Sequence, residues 1–380
     1  METEVATEPS SSRIPSGVRA AIVLFLIYIF LVGVSSLEGG IKVMGADTQE
    51  QLFSAVTNPV AGLSIGILGT VLVQSSSAST SVIVGLVASG ALEVKFAIPM
   101  VMGANIGTTV TNTLVSLGHV RQSNEFKRAL AAATVHDFFN VLAVVILLPV
   151  EVATGIIGKI AEAISETLVG SSGTEWKSPI KAWVKEPVGW IKDGLDAAGA
   201  SGNVLGTLMV VVGLVIILAA LSLITKNMRK LVADRVERSL NAILGKGGGA
   251  VAMILGMIIT ISVQSSSITT SILIPLSAAG VITLRNAYPV TLGANVGTTI
   301  TALLAALASA SPEALTVGLA HTTFNVMGIF LLYVIPIFRD VPVRGAEALA
   351  AVAVERRTMA LLYVVGLFIV APLVGVVLLS

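Results

Sequence analysis

Long apolar segments with few polar interruptions dominate the pattern along this chain. A helix needs about twenty such residues to cross a bilayer core of ~30 Å, and several segments reach that length. They predict about seven spanning helices, near residues 18–37, 97–118, 129–150, 204–224, 286–308, 314–338 and 356–379. We therefore expect an all-α polytopic membrane protein whose first helix is retained as a span and is not removed as a signal peptide.

Two further apolar segments, about 59–92 and 249–282, have a different pattern, because the polar sequence Gln-Ser-Ser-Ser divides each of them. Only about 14 apolar residues lie on either side of this sequence, too few for an easy crossing. Two short helices that are joined by a polar tip are typical of a re-entrant hairpin, which enters the membrane and returns.

The chain also contains an internal duplication. Gln74–Ser77 recurs as Gln264–Ser267, and GANIGTTVT (103–111) recurs at the same offset as GANVGTTIT (293–301). The sequences HDFFN and HTTFN follow in turn. Each half therefore contains a helix, a hairpin and two more helices. Because three spans per half is an odd number, the second copy must lie upside down, and we expect two inverted-topology repeats.

This duplication predicts five parts along the chain. They are a disordered tail (1–17), repeat 1 (18–150), an extracellular or periplasmic linker (151–203), repeat 2 (204–338), and a cytoplasmic loop with a C-terminal helix (339–380).

Basic residues support the inverted arrangement. Counting spans places four basic groups on one side of the membrane, and the positive-inside rule assigns that side, with the N-terminus, to the cytoplasm. The groups begin at Arg13, Arg121, Lys226 and Arg339. The linker falls on the other side, where Trp176, Trp183 and Trp190 recur at seven-residue spacing and favour an amphipathic segment at the membrane interface.

The composition agrees with a membrane protein and excludes several functions. Hydrophobic residues make up 54% of the 380 residues and charged residues 12%, against about 25% charged in soluble domains. A net charge of +1 gives no basis for a nucleic-acid partner. The absence of cysteine excludes disulfides, thiolate metal sites and cysteine catalysis.

The hairpin tips are polar but uncharged. No charged residue lies between Glu50 and Glu93 or between Lys246 and Arg285. We therefore expect an anion at the tips to be held by hydroxyls, amides and the backbone N–H groups that open each return helix. Sodium ions would supply the missing positive charge. The residues expected to bind this anion, which is phosphate if the family resemblance given below holds, are Gln74, Ser75, Ser76, Ser77, Gln264, Ser265, Ser266, Ser267, Asn105 and Asn295.

Asp137 is the one acidic residue well inside a predicted span, where an ionisable group is expensive and therefore typical of function. His136, His321 and Asn325 are interpreted as polar groups that pack helices together. An amide carbonyl of Gln74 or Gln264 can also accept the proton of a protonated oxyanion, and sulfate has no such proton.

The paired QSSS, the paired GAN-x-GTT and VHDFFN resemble the type II sodium-phosphate cotransporter family over nearly the whole chain beyond the tail. The resemblance implies sodium-driven phosphate uptake, electrogenic because Asp137 is present, with sodium as the co-transported ion. The short, cysteine-free linker favours a bacterial member in the inner membrane. The sodium ligands that it implies are Gln264, Ser265, Thr298, Thr301, Asp137 and Asn140, and Thr108 and Thr111 occupy the matching places in repeat 1.

Other functions remain open from the residues alone. The nearest is sodium-coupled transport of another oxyanion or of a dicarboxylate. An intramembrane serine hydrolase is more remote, because it needs one activated serine and not symmetric runs of three. A channel suits paired hairpins less well than alternating access does. We expect no enzymatic activity and no organic cofactor, with the lipid bilayer as a partner and the oligomeric state left open.

Overall fold

The computed structural model describes residues 15–45, 56, 58–169, 178–244 and 248–379, with the backbone alone for 232–244 and 378–379. Every regular element in these ranges is a helix, which confirms the all-α class.

Repeat 1 contains α1 (Ser16–Met44), α2 (Pro59–Val73), α3 (Ser76–Ala88), α4 (Val94–Gly107), α5 (Val110–Ser116), a 3-10 turn (Leu117–His119) and α6 (Ser123–Thr154). Two helices follow between the repeats, α7 (Ile156–Val169) and α8 (Pro179–Ala197). Repeat 2 contains α9 (Gly202–Leu244), α10 (Gly249–Val263), α11 (Ser266–Ala278), α12 (Leu284–Ser309), α13 (Pro312–Ile329) and a π-helical turn (Phe330–Val334). The chain then forms α14 (Pro336–Arg339), α15 (Val341–Glu355), α16 (Thr358–Val365), a second π-helical turn (Gly366–Val370) and α17 (Ala371–Leu379).

Six stretches among the described residues are long and apolar enough to cross a membrane, and they match six of the predicted spans. They are Ser16–Met44, Ser123–Thr154, Gly202–Leu231, Leu284–Ser309, Pro312–Val334 and Thr358–Val377.

Both predicted hairpins form, as α2 with α3 and as α10 with α11. The arms have 15 and 13 residues in each copy, so each is only about 20 Å long at 1.5 Å per residue and is too short to span. Each first arm ends at a glutamine in the left-handed region, Gln74 at φ 57° and Gln264 at φ 56°. This backbone turn redirects the chain into the return helix at the same point of both copies.

The first helices of the two repeats, α1 and α9, show the inversion directly. A Cβ on Gly33 would lie 3.0 Å from the carbonyl oxygen of Gly213, and a Cβ on Gly40 would lie 2.7 Å from that of Gly206. The later glycine of α1 therefore faces the earlier glycine of α9. The residue numbers rise along one helix as they fall along the other, so these equivalent helices run antiparallel. The absence of side chains at these glycines lets the two backbones cross at close range.

Glycines also pack each hairpin against the following helix. A Cβ on Gly66 would collide with the carbonyl oxygen of Met100, and one on Gly256 would collide with that of Val290. Because these contacts recur at equivalent positions, α2 with α4 and α10 with α12 form the same tight pair in both repeats.

The predicted span 97–118 is not continuous, which corrects the expectation of a single helix there. It divides at Thr108–Thr109 into α4 and α5, whereas its copy α12 continues unbroken. Asn112 joins α5 to hairpin 2, because its side chain donates to Thr270 (2.7 Å) and accepts from Ser271 (3.0 Å) on α11. The equivalent residue in repeat 2 is an alanine without these groups.

The predicted linker and the predicted cytoplasmic loop both contain helices. Residues Val341–Glu355 form α15, which packs against α6. In the linker, Trp183 and Trp190 are 66% and 70% exposed, while Trp176 lies outside the described residues, as does the predicted tail except for its last three residues.

Candidate functional site

Both hairpin tips face one cavity of about 590 Å³. All eight residues of the two Gln-Ser-Ser-Ser sequences line it, together with Thr111 and one face of α9. The tips are close to one another: the Ser77 hydroxyl lies 3.5 Å from the carbonyl oxygen of Gln264, to which it can donate. Two sequences far apart in the chain therefore form one polar surface.

The equivalent serine of hairpin 2 also contacts the opposite repeat, but at a different position. The Ser267 hydroxyl of hairpin 2 donates to the carbonyl oxygen of Thr108 at 3.4 Å. That carbonyl lies at the break between α4 and α5, so the interruption of this helix supplies a backbone acceptor beside the cavity.

The helix starts at the tips present backbone donors. Ser75 caps α3 by accepting from the N–H of Ala78 (3.2 Å), and Ser265 caps α11 by accepting from the N–H of Ile268 (3.4 Å). The first N–H groups of a helix have no partner further back along it. The N–H groups of Ser76 and of its copy in hairpin 2 thus remain available for an anion, and the helix dipole favours negative charge there.

The two glutamines are held in the same way. Gln74 donates through Nε2 to the Val71 carbonyl and accepts at Oε1 from the Thr111 hydroxyl (2.8 Å). In repeat 2, the Thr301 hydroxyl donates to the side-chain carbonyl of Gln264 (2.7 Å). Each carbonyl oxygen keeps a second lone pair for a ligand, so both amides are fixed and still able to accept.

The surroundings of the tips correct one expectation. The hairpins carry no charge, but the cavity that they face is lined by Lys226, Arg229 and Lys230 of α9. The proximity of these residues to the tips was not predictable, because they follow a separate span, where basic residues indicate only the cytoplasmic side. They follow the polar Ser222 by four, seven and eight residues, and this spacing places them on one helix face.

The GAN asparagine of repeat 1 does not line this cavity. Asn105 is buried, accepts at Oδ1 from Nε2 of His321 (2.9 Å) and donates to Asn325 (3.2 Å). Both partners belong to repeat 2, so the side chain is occupied in a contact between the repeats.

Asn295 repeats this arrangement from the other side. It contacts Nε2 of His136 through Oδ1 and donates to Oδ1 of Asn140 at 2.7 Å, and both partners belong to repeat 1. The position of this asparagine and of Asn105 away from the cavity is explained by these bonds. Direct phosphate binding by either asparagine stays a prediction, and no contact supports it. The residues interpreted as packing groups do lie at contacts between helices, namely His136, His321 and Asn325.

The residues expected at a sodium site in repeat 2 lie on one helix face beside the tip. Thr301 touches Gln264, and Thr298 lies one turn earlier on α12, buried and bonded to the Ala294 carbonyl (3.0 Å). Thr111 and Thr108 repeat these positions next to Gln74. Hydroxyl and carbonyl oxygens are the hard ligands that sodium binds.

Asp137 is fully buried and lies apart from the cavity. Its Oδ2 accepts from the Tyr363 hydroxyl at 2.9 Å, and Oδ1 has no hydrogen-bond partner in the described part of the chain. Thr109 and Thr113, at the break between α4 and α5, adjoin this carboxylate, and the Thr113 hydroxyl also has no partner there. The hydroxyls of Tyr363, Thr109 and Thr113 therefore surround this carboxylate. No sequence pattern indicated Tyr363, which comes from the last span.

Inverted repeats that bring two broken-helix hairpins to one polar cavity define a membrane protein with the architecture of secondary transporters. The chain belongs to the Na+/Pi-cotransporter family, whose model matches residues 29–169 and 216–338.

Two curated relatives illustrate the similarity. The chain is 34% identical to sodium-dependent phosphate transport protein 2A of Rattus norvegicus, over 93% of this chain and 66% of the relative. It is 33% identical to sodium-dependent phosphate transport protein 2B of Homo sapiens, over 93% and 64%. The chain therefore spans slightly less than two thirds of the length of these relatives. No solved structure matches it significantly.

Proposed function

We propose that this chain takes up inorganic phosphate together with sodium, as a secondary active transporter that works by alternating access. The observation that carries the proposal is the convergence of both Gln-Ser-Ser-Ser tips on one cavity in a member of this family. The names of the relatives, sodium-dependent phosphate transport proteins, support the choice of ion and substrate.

In this proposal the anion binds between the two tips. The hydroxyls and first N–H groups of α3 and α11 donate to its oxygens from opposite sides, and the positive ends of both helix dipoles point toward it. The glutamine carbonyls accept the proton of HPO4²⁻, which would favour phosphate over sulfate. The inverted repeats let the same pair of tips face either side of the membrane in turn.

Sodium supplies positive charge next to the tips. Gln264, Ser265, Thr298 and Thr301 are the proposed ligands in repeat 2, and the pair Thr108 and Thr111 offers the same oxygens in repeat 1. Lys226, Arg229 and Lys230 are at the cavity wall and not within the tips, so they reduce the need for sodium in neutralising the anion but do not replace its oxygen-lined sites.

A further sodium is proposed at Asp137. The buried carboxylate, the threonine hydroxyls around it and the broken helix support it. Asn140 was expected beside this ion, but its side chain is bonded to Asn295 and to the Asn105 carbonyl (3.0 Å). We propose electrogenic transport because a cation at Asp137 adds charge that moves through the membrane field.

We further propose a bacterial inner-membrane location with the N-terminus in the cytoplasm. Counting outward from the close pair Gly33 and Gly213 brings Arg19 level with the region of Lys226. The basic residues of α1 and α9 thus share one end of the molecule, which supports a common, cytoplasmic side. The short linker supports the bacterial assignment.

The alternatives have less support. Transport of another oxyanion or of a dicarboxylate fits the same donors and is decided by competition. For a serine hydrolase, a base must bond to the nucleophile, but the histidines contact Glu125, Asn295 and Asn105 and not a tip serine. No observation favours a channel or an organic cofactor.

The test is uptake of radiolabelled phosphate into liposomes that contain the purified protein, under an imposed sodium gradient. The proposal predicts uptake that requires sodium and is inhibited by arsenate but little by sulfate. Uptake that is indifferent to sodium would refute the coupling, and inhibition by a dicarboxylate but not by arsenate would favour the other substrate class.

A further inference from the structure

One face of α9 forms a wall of the central cavity, and its polarity changes along the helix. The lining residues recur every three or four positions, as expected for one helical face. In chain order they are Leu218, Leu221, Ser222, Thr225, Lys226, Arg229 and Lys230. The wall therefore passes from apolar to hydroxyl-bearing to cationic.

Thr225 fixes the level of this wall relative to hairpin 2. Its hydroxyl donates to the carbonyl oxygen of Val263 at 3.4 Å, directly before Gln264 at the tip. Lys226 is the next residue. Arg229 lies four residues after Thr225, which is about 6 Å along the helix at 1.5 Å per residue. The cationic groups thus begin at the tips and extend outward by roughly one turn.

These cations are not neutralised within the described side chains. The ion pairs there involve other basic residues, namely Lys42, Lys95, His119, Lys181 and Arg285. Lys226, Arg229 and Lys230 are exposed toward the cavity, and among the side chains that the structure describes no carboxylate lines it with them. Like charges at the wall of a cleft with low-dielectric surroundings concentrate the local potential and raise the local concentration of anions.

The chemistry of the wall suits an oxyanion. Arg229 offers a planar fork of N–H donors, and Lys226 and Lys230 offer flexible ammonium groups. The hydroxyl of Ser222 adds a neutral donor on the side of the tips. Such charge-assisted donors bind phosphate oxygens more strongly than neutral ones do.

We propose that Lys226, Arg229 and Lys230 form a second anion site at the mouth of the cavity, which binds inorganic phosphate without sodium, about one helical turn outside the hairpin tips. The assignment of phosphate rests on the proposed function. In uptake, the anion occupies this site as it leaves the tips on the basic side of the membrane, and in reverse transport it is captured there first.

An anionic lipid headgroup has the same phosphate oxygens and is the other possible occupant. The shared cavity favours the free ion, because the three basic residues line the same space as both tips. Basic residues that serve only to orient the protein in the membrane need not line the cavity. Three exposed residues outside the cavity are of this kind, namely Arg344, Arg356 and Arg357.

The natural absence of cysteine makes a direct test possible. In Ser222→Cys, the introduced thiol is the only one in the chain and lines the cavity beside the cluster. Its rate of modification by an uncharged maleimide is measured in detergent, in sodium-free buffer at constant ionic strength, with and without inorganic phosphate. The same measurement is made with K226A/R229A/K230A added, and with the control R344A/R356A/R357A, which removes three positive charges elsewhere.

We expect phosphate to slow the modification several-fold in S222C and in the control, and to have no effect once the cluster is removed. Equal protection with and without the cluster, or no protection in S222C alone, would overturn the proposal. Protection by phosphatidylglycerol micelles but not by inorganic phosphate would also overturn it and assign the site to lipid.

Transport by the same variants in phosphatidylcholine vesicles separates this proposal from the function itself. With an otherwise wild-type sequence, K226A/R229A/K230A should raise the KM for phosphate severalfold to about tenfold at low salt, with a smaller effect at high salt, and leave kcat nearly unchanged. An unchanged KM, with sodium-driven uptake intact, would refute the mouth site alone. Absence of sodium-driven uptake by the wild type would refute the proposed function. The sodium-free protection measurement would still test whether the three basic residues bind phosphate.

Discussion

The side-chain amide of Asn295 donates a 2.7 Å hydrogen bond to the side-chain carbonyl of Asn140, in the opposite repeat. Its own carbonyl contacts Nε2 of His136. Asn105 makes the equivalent contact with His321 from the other side. Each repeat therefore holds the asparagine of the other, and the buried centre of the protein is joined by two nearly symmetric polar contacts.

Replacing Asn295 by Ala should destabilise the fold. The change leaves the carbonyl of Asn140 and the ring of His136 buried without their partner, and each unsatisfied group costs about 1–3 kcal/mol. Thermal unfolding in detergent should shift to lower temperature, while the exposed control Asn203→Ala should unfold as the wild type does. Equal unfolding of all three proteins would show that the contact between the repeats contributes little.

Gly66→Ala and Gly69→Ala form a matched pair on α2. A Cβ at Gly66 collides with the Met100 carbonyl, whereas at Gly69 no atom lies within 4 Å. Overpacking typically costs 1–3 kcal/mol, so Gly66→Ala should lower the unfolding temperature and the uptake rate. Gly69→Ala should preserve both, and similar losses in the two variants would contradict the close packing of α2 on α4.

Thr301→Val tests the sodium site of repeat 2. The hydroxyl holds the Gln264 carbonyl at 2.7 Å, and valine keeps the shape without this bond. A hydrogen bond contributes a net free energy of about 0.5–1.5 kcal/mol. Its loss should raise the sodium concentration for half-maximal uptake by about 2- to 10-fold. Thr207→Val, which loses only a bond to the Asn203 backbone, is the control. An unchanged sodium dependence would remove Thr301 from the site.

Asp137→Gly should abolish the dependence of uptake on membrane potential. A unit charge that crosses the field contributes about 2.3 kcal/mol per 100 mV, and the variant removes the carboxylate that we propose holds a sodium ion. Uptake is measured under potentials set by a potassium gradient with valinomycin. Asp137→Asn separates charge from packing, and Glu151→Gln removes a different buried carboxylate, which caps α7. Retained voltage sensitivity in both Asp137 variants would refute this role.

Much of the fold was predictable because the membrane restricts it. Apolar length predicted the spans, the polar Gln-Ser-Ser-Ser predicted the hairpins, and the duplication predicted the inversion that Gly33 and Gly213 display. The break at Thr108–Thr109 was not predictable from local sequence, since both repeats contain GTT. The two copies differ in tertiary contacts, since Asn112 bonds to α11 where repeat 2 has an alanine.

The site was only partly predictable, because side-chain direction depends on how helices pack. The tips were found from their composition. The positions of Asn105 and Asn295 were not, since a buried amide serves a ligand or another helix equally well until its neighbours are known. Arg229 lines the cavity and Tyr363 contacts Asp137 from distant spans, and no local pattern in the sequence indicates such positions.

Binding of radiolabelled phosphate to the purified protein in sodium tests most directly whether two inverted tips hold one anion. The variants S76A/S77A and S266A/S267A remove hydroxyls from one tip each, with Ser201→Ala as an exposed control. We predict one tight, sodium-dependent phosphate per chain, with affinity reduced about tenfold or more by either pair of substitutions, because hydrogen bonds to a charged partner contribute about 1.5–3 kcal/mol. Wild-type affinity in either double variant, or two tight phosphates per chain, would contradict a shared site.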